Sequence, residues 1–221
     1  MKWSAADCSA GIAVMTKDVP LSGFLTEKIE QAAALIRKGG VVAFPTETYY
    51  GLAVDPFNEK ALQRLFTLKQ RSASKPILTL VNTPEQLYLL VSAIPEQYRL
   101  LMDRFWPGPL TLIFPAQNDV STILTGGTKT VGARISSNPI ARLLVEKCDG
   151  PITATSANLS GIRPASSPSK VRQQFADQLD MIVEGGATPG GSGSTIVGIV
   201  GNALTTVRQG IIPHSTLVDA F

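Results

Sequence analysis

The chain is poor in the residues that build disulfide frameworks, zinc sites and membrane spans. Its 221 residues include two cysteines and one histidine. Cys8 and Cys148 form no C-x-x-C pair, and His214 has no partner at a metal-ligand spacing, so neither a disulfide nor a zinc site is expected. Residues 1–20 carry charges and no continuous apolar run, unlike a secretory signal or a membrane span. We therefore expect a cytoplasmic protein without a protein-bound metal or a membrane partner.

The chain also lacks a strong excess of either charge. It has 20 basic and 17 acidic residues, a net charge of +3 and an apolar content of 44%, which are typical of a globular domain. The basic residues are scattered, so composition alone does not indicate nucleic-acid binding. No repeat or linker divides the sequence. We expect residues 23–221 to form one domain and residues 1–22 to be an N-terminal extension without chemistry.

The most informative stretch runs from residue 41 to residue 81. The apolar residues 41–44 predict a buried strand, Asn58 caps a helix that ends near Lys69, and residues 76–81 predict another strand. Lys69 and Arg71 therefore lie at a helix exit. They are suited to bind an anion beside the polar turn that follows the first strand. They would equally complement the helix C-terminus, which attracts cations by about 0.3–1 kcal/mol.

The rest of the chain alternates between helical and strand patterns. The hairpin pattern at residues 194–207 joins two strands without a helix, and no strand is followed by G-x-G-x-x-G, which disfavours a doubly wound parallel sheet. Apolar periodicity and capping residues predict a helix at 26–38 that Thr26 caps, three helices that begin at 84, 95 and 139, and a helix that ends at 175. They also predict strands at 110–114, 151–155 and 181–183 and a strand that ends at Arg134.

Several polar residues follow predicted strands, and each has two interpretations. Arg134 alternates against apolar neighbours, so it either lines a cleft or makes a salt bridge at the rim. Ser156, Asn158 and Ser160 either bind phosphate oxygens or bond their own backbone in a turn. The glycine-rich residues 185–193 do not match a Walker loop, and they favour a mobile flap.

The motifs PTETYYGL at 45–52, Lys69-Gln-Arg71 and Ser156-Ala-Asn158 together carry a resemblance. They are similar to those of the threonylcarbamoyl-AMP synthase family, the YrdC-like proteins. The similarity continues over residues 25–213 through WPGPLT, TVGAR, SANLSG, STIV and RQG. It implies an α/β fold with a single YrdC-like domain, in which a twisted, mixed and largely antiparallel sheet is flanked by helices and has a basic concave face.

The resemblance also implies an activity and its partners. Family members are nucleotidyltransferases that join L-threonine, bicarbonate or CO2, and ATP into threonylcarbamoyl-AMP with release of pyrophosphate. The product serves the threonylcarbamoyladenosine modification of tRNA. The expected partners are therefore these substrates, downstream tRNA-modifying proteins that use the adenylate, and RNA or tRNA at the basic face. Mg²⁺ is expected to arrive with ATP.

Site residues carry over by position. The resemblance implies catalytic roles for Lys69, Arg71, Ser156 and Asn158. It implies that threonine is held by Thr46, Arg134, Ala154 and Ser194. It implies nucleotide binding by Lys69, Arg71, Lys75, Thr130, Ser156 and Arg208. The chain departs from the common family pattern at Ser72, Lys75, Gly198 and Gln209.

Three other functions stay open from the sequence. An RNA-binding module would use the same basic face without chemistry. A carbamoyl-adenylating relative that works in metal-centre maturation shares the domain but carries further domains. A paralogous group of obscure function lacks the Lys/Asn tetrad that this chain keeps.

Overall fold

The computed structural model describes residues 21–221, whose strands form two mixed sheets flanked by helices. The predicted extension at residues 1–22 lies almost entirely outside the described residues. The strands are β1 Val42–Pro45, β2 Tyr50–Ala53, β3 Thr79–Leu80, β4 Leu110–Pro115, β5 Thr130–Arg134, β6 Ile152–Thr153, β7 Thr155–Ser156, β8 Met181–Ile182, β9 Thr195–Val200 and β10 Ala203–Arg208. The helices are α1 Gly23–Arg37, α2 Glu59–Lys69, α3 Pro84–Tyr88, α4 Tyr98–Phe105, α5 Thr122–Thr125, α6 Pro139–Cys148, α7 Pro168–Phe175 and α8 His214–Val218, with a 3-10 turn at Ala176–Gln178.

The smaller sheet has the strand order β7-β2-β1-β8. β1 pairs with β2 antiparallel and with β8 parallel, and β2 pairs with β7 antiparallel. β1 confirms the strand predicted at 41–44, whereas β2 was missed. All four β2 residues are buried, so the period-two alternation that marks a strand in sequence is absent, and only its partner strands reveal it.

The larger sheet has the order β10-β9-β4-β5-β3-β6. The pairs β4–β9 and β3–β5 are parallel, and the pairs β9–β10, β4–β5 and β3–β6 are antiparallel. The predicted α/β fold with mixed, largely antiparallel strand pairing is confirmed, although the strands divide into two sheets rather than one. The hairpin predicted at 194–207 is β9 and β10.

The strand predicted at 151–155 is wrong as a single element. β6 pairs with β3 in the larger sheet, while β7 pairs with β2 in the smaller one. Ala154 lies between them, and its N–H donates to Leu78 O at 2.7 Å. The chain therefore passes from one sheet to the other at Ala154, because β3 pairs with the first part of this extended segment and β2 pairs with the second part.

Short polar side chains cap most of the longer helices. Asn58 Oδ1 accepts from Ala61 N in α2, and Asn138 Oδ1 accepts from Ile140 N in α6, as the sequence predicted. The predicted cap of the first helix, Thr26, is wrong. Ser22 Oγ accepts from Leu25 N at 3.3 Å, so α1 begins one turn earlier.

Two apolar clusters hold these layers together. One packs around the larger sheet and includes an edge-to-face pair, Tyr98 and Phe114, with ring centroids 5.1 Å apart. The other lies between β1 and the helices α1 and α6, with Ile29, Val42 and Leu144 fully buried. Within residues 21–221, no helix combines the length and the apolar character that crossing a membrane requires.

Candidate active site

A cavity of about 300 Å³ opens where the two sheets meet. Strand ends from both sheets reach it, because the chain passes directly from β6 in the larger sheet to β7 in the smaller one. Among the predicted site residues, those that line the cavity are Thr46, Arg71, Thr130, Arg134, Ala154, Ser156, Ser194 and Arg208. All four residues predicted to hold threonine and four of the six predicted to bind the nucleotide therefore line one cavity.

Three guanidinium groups line this cavity. Burial, and then the charge of Arg208, lowers the pKa of Arg71 and lowers that of Arg134 to about 9, while burial alone lowers the pKa of Arg208. All three remain cations at neutral pH. None of the lining residues is Asp or Glu in the part of the chain that the structure describes. Partly desolvated cations without lining carboxylates favour an anionic ligand.

Backbone carbonyls and one serine hold two of these arginines. Arg71 Nη2 donates to Pro76 O at 2.8 Å. Arg208 Nη2 donates to Ser194 O at 2.8 Å and to Ser194 Oγ at 3.0 Å. The chain just after Arg208 also passes close to Ser194, since a Cβ at Gly210 would lie 2.3 Å from the carbonyl carbon of Ser194 and only glycine allows this approach. Arg208 and Ser194 are thus one connected unit.

Arg134 has a different partner. Its Nη1 donates to Glu47 Oε1, and Ser136 Oγ donates to Glu47 Oε2. The Arg134 side chain is 6% exposed and that of Glu47 is 14% exposed. Arg134 lines the cavity, as one interpretation predicted, and it also makes a salt bridge, although this bridge is nearly buried and not at the rim.

Lys69 lies behind the cavity wall rather than in it. It is 2% exposed, and its Nζ donates to Ser156 O, to Asn158 O at 2.8 Å and to Asn158 Oδ1 at 3.4 Å. Burial, and then the charge of Arg71, lowers the pKa of Lys69 to about 7. Lys69 therefore supports the turn that carries Ser156.

That turn is held mainly by its own hydrogen bonds. Ser156 Oγ donates to Asn158 Oδ1 at 2.6 Å, and Asn158 Nδ2 donates to Ile162 O at 2.7 Å. Ser156 still lines the cavity, whereas Asn158 does not. Both side chains therefore bond within the turn, and Ser156 also lines the cavity, while its binding of phosphate stays a prediction.

The glycine-rich residues 185–193 run along the PTETYYGL turn. Tyr49 Oη donates to Gly191 O, Tyr50 Oη donates to Gly186 O at 2.8 Å, and Gly190 N donates to Thr48 O at 2.6 Å. Gly190 has a φ of +74°, a conformation that favours glycine. These bonds attach the segment to the site, and its mobility stays a prediction.

The match to a known family covers most of the chain. The family model Sua5_yciO_yrdC, described as "Telomere recombination", matches residues 34–210. The chain belongs to the Sua5/YciO/YrdC family. Within this family, the threonylcarbamoyl-AMP synthase of Idiomarina loihiensis is 42% identical over 156 residues, covering 70% of this chain and 84% of the relative. That of Pyrococcus abyssi is 40% identical over 186 residues, covering 84% of this chain and 55% of the relative.

A solved member of the Sua5/YciO/YrdC family has the same fold. The crystal structure of P. abyssi Sua5 complexed with L-threonine superposes with a TM-score of 0.85 at 38% identity. The superposition covers 89% of this chain and 58% of the P. abyssi chain. This chain thus spans just over half the length of the Pyrococcus proteins.

Three residues that the family resemblance assigned to the site do not line the cavity. Lys69 and Asn158 lie behind its wall, and Lys75 is exposed, with its carbonyl accepting from Arg71 Nε at 3.3 Å. Conversely, the sequence analysis missed Glu47 and Ser136. Glu47 could have been noticed as the only acid in the PTETYYGL turn, but its partners come from a strand end more than eighty residues away.

The departures from the common family pattern are accommodated locally. Ser72 Oγ bonds Ser74 Oγ at 2.8 Å in an exposed loop. Gln209 Nε2 donates to Ile212 O at 2.8 Å, outside the cavity. In residues 21–221, no group of three His, Cys, Asp or Glu side chains is arranged to hold a metal ion.

Proposed function

We propose that the chain is an L-threonylcarbamoyladenylate synthase. The neutral threonine amine would add to the carbon of CO2 and lose a proton, or would react with bicarbonate and release water, to give a carbamate. A carbamate oxygen would then attack the α-phosphorus of ATP. The bond between the α-phosphorus and its bridging oxygen breaks, and pyrophosphate leaves with the electron pair. Two anions must approach each other in this step, so fixed cations are needed more than a nucleophilic side chain.

One observation carries the proposal: the convergence of Arg71, Arg134 and Arg208 on a single cavity whose described lining has no carboxylate. A pair of unit charges about 4 Å apart interacts by about 4 kcal/mol at an effective dielectric constant near 20. Arg71 and Arg208 are held by backbone carbonyls, so they are preorganised to stabilise the transferring phosphate without rearranging. Glu47 holds Arg134 in the same way for the other substrate. The relatives named as threonylcarbamoyl-AMP synthases support the same assignment.

We assign the threonine end of the cavity to Arg134, Thr46, Ala154 and Ser194. A guanidinium suits a carboxylate because it donates two parallel hydrogen bonds. Thr46 Oγ1 already donates to Tyr49 O at 2.7 Å and accepts from Thr48 N at 3.1 Å, so the turn that presents it is rigid. The P. abyssi Sua5 crystal complex contains L-threonine, which supports an amino-acid site in this fold.

We assign the nucleotide phosphates to Arg71, Thr130, Ser156 and Arg208. Lys69 and Asn158 would act on them by fixing the turn that carries Ser156, since their side chains bond that turn. Lys75 would reach a nucleotide only by moving its exposed side chain. The described cavity lining offers hydroxyls and carbonyls but no carboxylate, so Mg²⁺ would be held chiefly by the phosphates of ATP and by water.

The remaining expectations are part of the same proposal. Residues 23–221 would form the synthase domain, and the cytoplasm would be its location. Downstream proteins would consume the adenylate to modify tRNA. Direct contact with tRNA through a basic face would add a binding function to the catalytic one.

A single assay tests the function. Purified protein is mixed with ATP, L-threonine and bicarbonate, and pyrophosphate and the adenylate are measured, the latter by mass. Release should require threonine and bicarbonate together, because the carbamate does not form without both. Equal release with ATP alone would indicate a hydrolase, and no turnover with salt-sensitive RNA binding would favour an RNA-binding module.

A further inference from the structure

We propose that Glu47 is a positioning residue that fixes the Arg134 guanidinium and thereby sets how well the site recognises the carboxylate of its amino acid. The inference rests on the proposed function, because it takes Arg134 as the group that binds that carboxylate. Glu47 does not line the cavity, so its effect on a ligand must pass through Arg134.

Glu47 is anchored at both of its carboxylate oxygens. One oxygen accepts from Arg134 Nη1 and the other from Ser136 Oγ. Ser136 Oγ in turn accepts from the backbone N–H of Asn138 at 3.2 Å, and Asn138 caps α6. The carboxylate is therefore tied to the rigid start of a helix, and it holds Arg134 in a defined direction.

The pairing leaves most of the Arg134 guanidinium available to a ligand. A guanidinium carries five N–H groups, and its only hydrogen bond within residues 21–221 goes to Glu47. Arg134 stands at the end of β5 and lines the cavity. Engaging one terminal nitrogen fixes the plane of the group while the other N–H donors remain free for a carboxylate.

Charge gives the pair a second reason to exist. Arg134 is nearly buried, and the positive charge of Arg208 acts on it from across the cavity. An unpaired buried cation is strongly disfavoured. Without Glu47, the guanidinium would turn toward water or another acceptor, and the donor geometry would be lost.

The experiment compares two ligands that differ only in the carboxylate. L-threonine and L-threonine amide are titrated calorimetrically into nucleotide-free protein. The Kd of the amide divided by the Kd of threonine measures recognition of the carboxylate. We expect Glu47→Ala to raise the Kd of threonine about tenfold or more, because a charge-assisted contact is lost, and to change that of the amide little. The ratio should therefore collapse.

Two further variants separate positioning from general damage to the fold. Glu47→Gln keeps an oxygen for Arg134 and an amide for Ser136 but loses the negative charge, so its ratio should lie clearly above that of Glu47→Ala and below that of the unaltered protein. Ser136→Ala removes one anchor of Glu47 and should lower the ratio partly. Ser137→Ala, at the exposed neighbouring position, is the matched control and should leave the ratio unchanged.

Several results would overturn the inference. These are an unchanged ratio in Glu47→Ala, equal weakening of both ligands, or a ratio in Glu47→Gln as low as in Glu47→Ala. If Glu47→Ala does not fold, an unchanged ratio in Ser136→Ala overturns it instead. The pyrophosphate assay of the unaltered protein distinguishes the two conclusions. If release depends on threonine, any of these results overturns only the role of Glu47, and the proposed function stands.

Discussion

Replacing Lys69 with methionine should change how the stability of the protein depends on pH. Lys69 is 2% exposed, and burial, followed by the charge of Arg71, lowers its pKa from 10.5 to about 7. Methionine keeps an unbranched apolar stem of similar length and removes the titrating group. The comparison therefore isolates the proton on Nζ.

The expected magnitude follows from linkage. A shift from 10.5 to about 7 corresponds to about 5 kcal/mol that disfavours the charged form in the folded state. Between these two values the unfolded chain keeps its proton while the folded chain releases it, so the free energy of unfolding rises with pH. The slope rises to about 1.4 kcal/mol per pH unit once the folded chain has lost the proton, which gives about 2 kcal/mol from pH 7 to pH 9.

Two other groups begin to change the stability of each protein near pH 9, the ordinary pKa of a thiol. Burial raises the pKa of both Cys148 and Tyr98 to about 12. For these groups the folded state keeps a proton that the unfolded state releases, so they lower stability as pH rises further. The unaltered protein and Lys69→Met both contain these groups, so their effect cancels in the difference between the two free energies of unfolding.

The assay is urea unfolding of the unaltered protein and of Lys69→Met from pH 6 to pH 9. The unaltered protein should gain about 2 kcal/mol relative to the variant between pH 7 and pH 9, and the difference should be flat near pH 6. Lys60→Met, at an exposed position of the same helix, should show no such trend. A flat difference throughout would show that the carbonyls around Nζ keep Lys69 charged.

Other substitutions test the site and the fold. Arg71→Ala should lower kcat by about 10²–10³-fold, because a preorganised donor is lost, while Lys60→Ala should not; equal turnover of the two would place the site elsewhere. Arg208→Ala should raise the KM of ATP and also that of threonine, because Arg208 bonds Ser194; an unchanged threonine KM would separate the two ends of the cavity. Cys148 is half-buried, and burial raises its pKa to about 12, so it should be alkylated more slowly at pH 7.5 in the native than in the unfolded protein, as peptide mass analysis would show; equal rates would contradict the raised pKa.

The structure changes the division of work that the sequence suggested for the arginines. From position in the motifs, Arg134 belonged to threonine and Arg208 to the nucleotide. In the folded chain Arg208 Nη2 bonds both polar oxygens of Ser194, a residue assigned to threonine. The two assignments stay proposals, but a substitution at Arg208 is now expected to affect both substrates.

Local chemistry explains what could be predicted. Asn58 and Asn138 cap helices because their side chains satisfy N–H groups a few residues away. The hairpin of β9 and β10 likewise depends on a short turn. The strand β2 and the division of residues 151–155 could not be predicted, because each depends on which distant strand offers a partner.

The sequence by itself determined the family, the mixed α/β class, several helix boundaries and eight of the residues that line the cavity. Short-range hydrogen bonds join residues that are close in sequence, and the order of the motifs is part of the sequence, so both can be predicted from it. The tertiary structure alone decided that Lys69 and Asn158 lie behind the wall and that Glu47 pairs with Arg134. Burial and ion pairing depend on contacts between residues more than eighty positions apart, and no local pattern contains them.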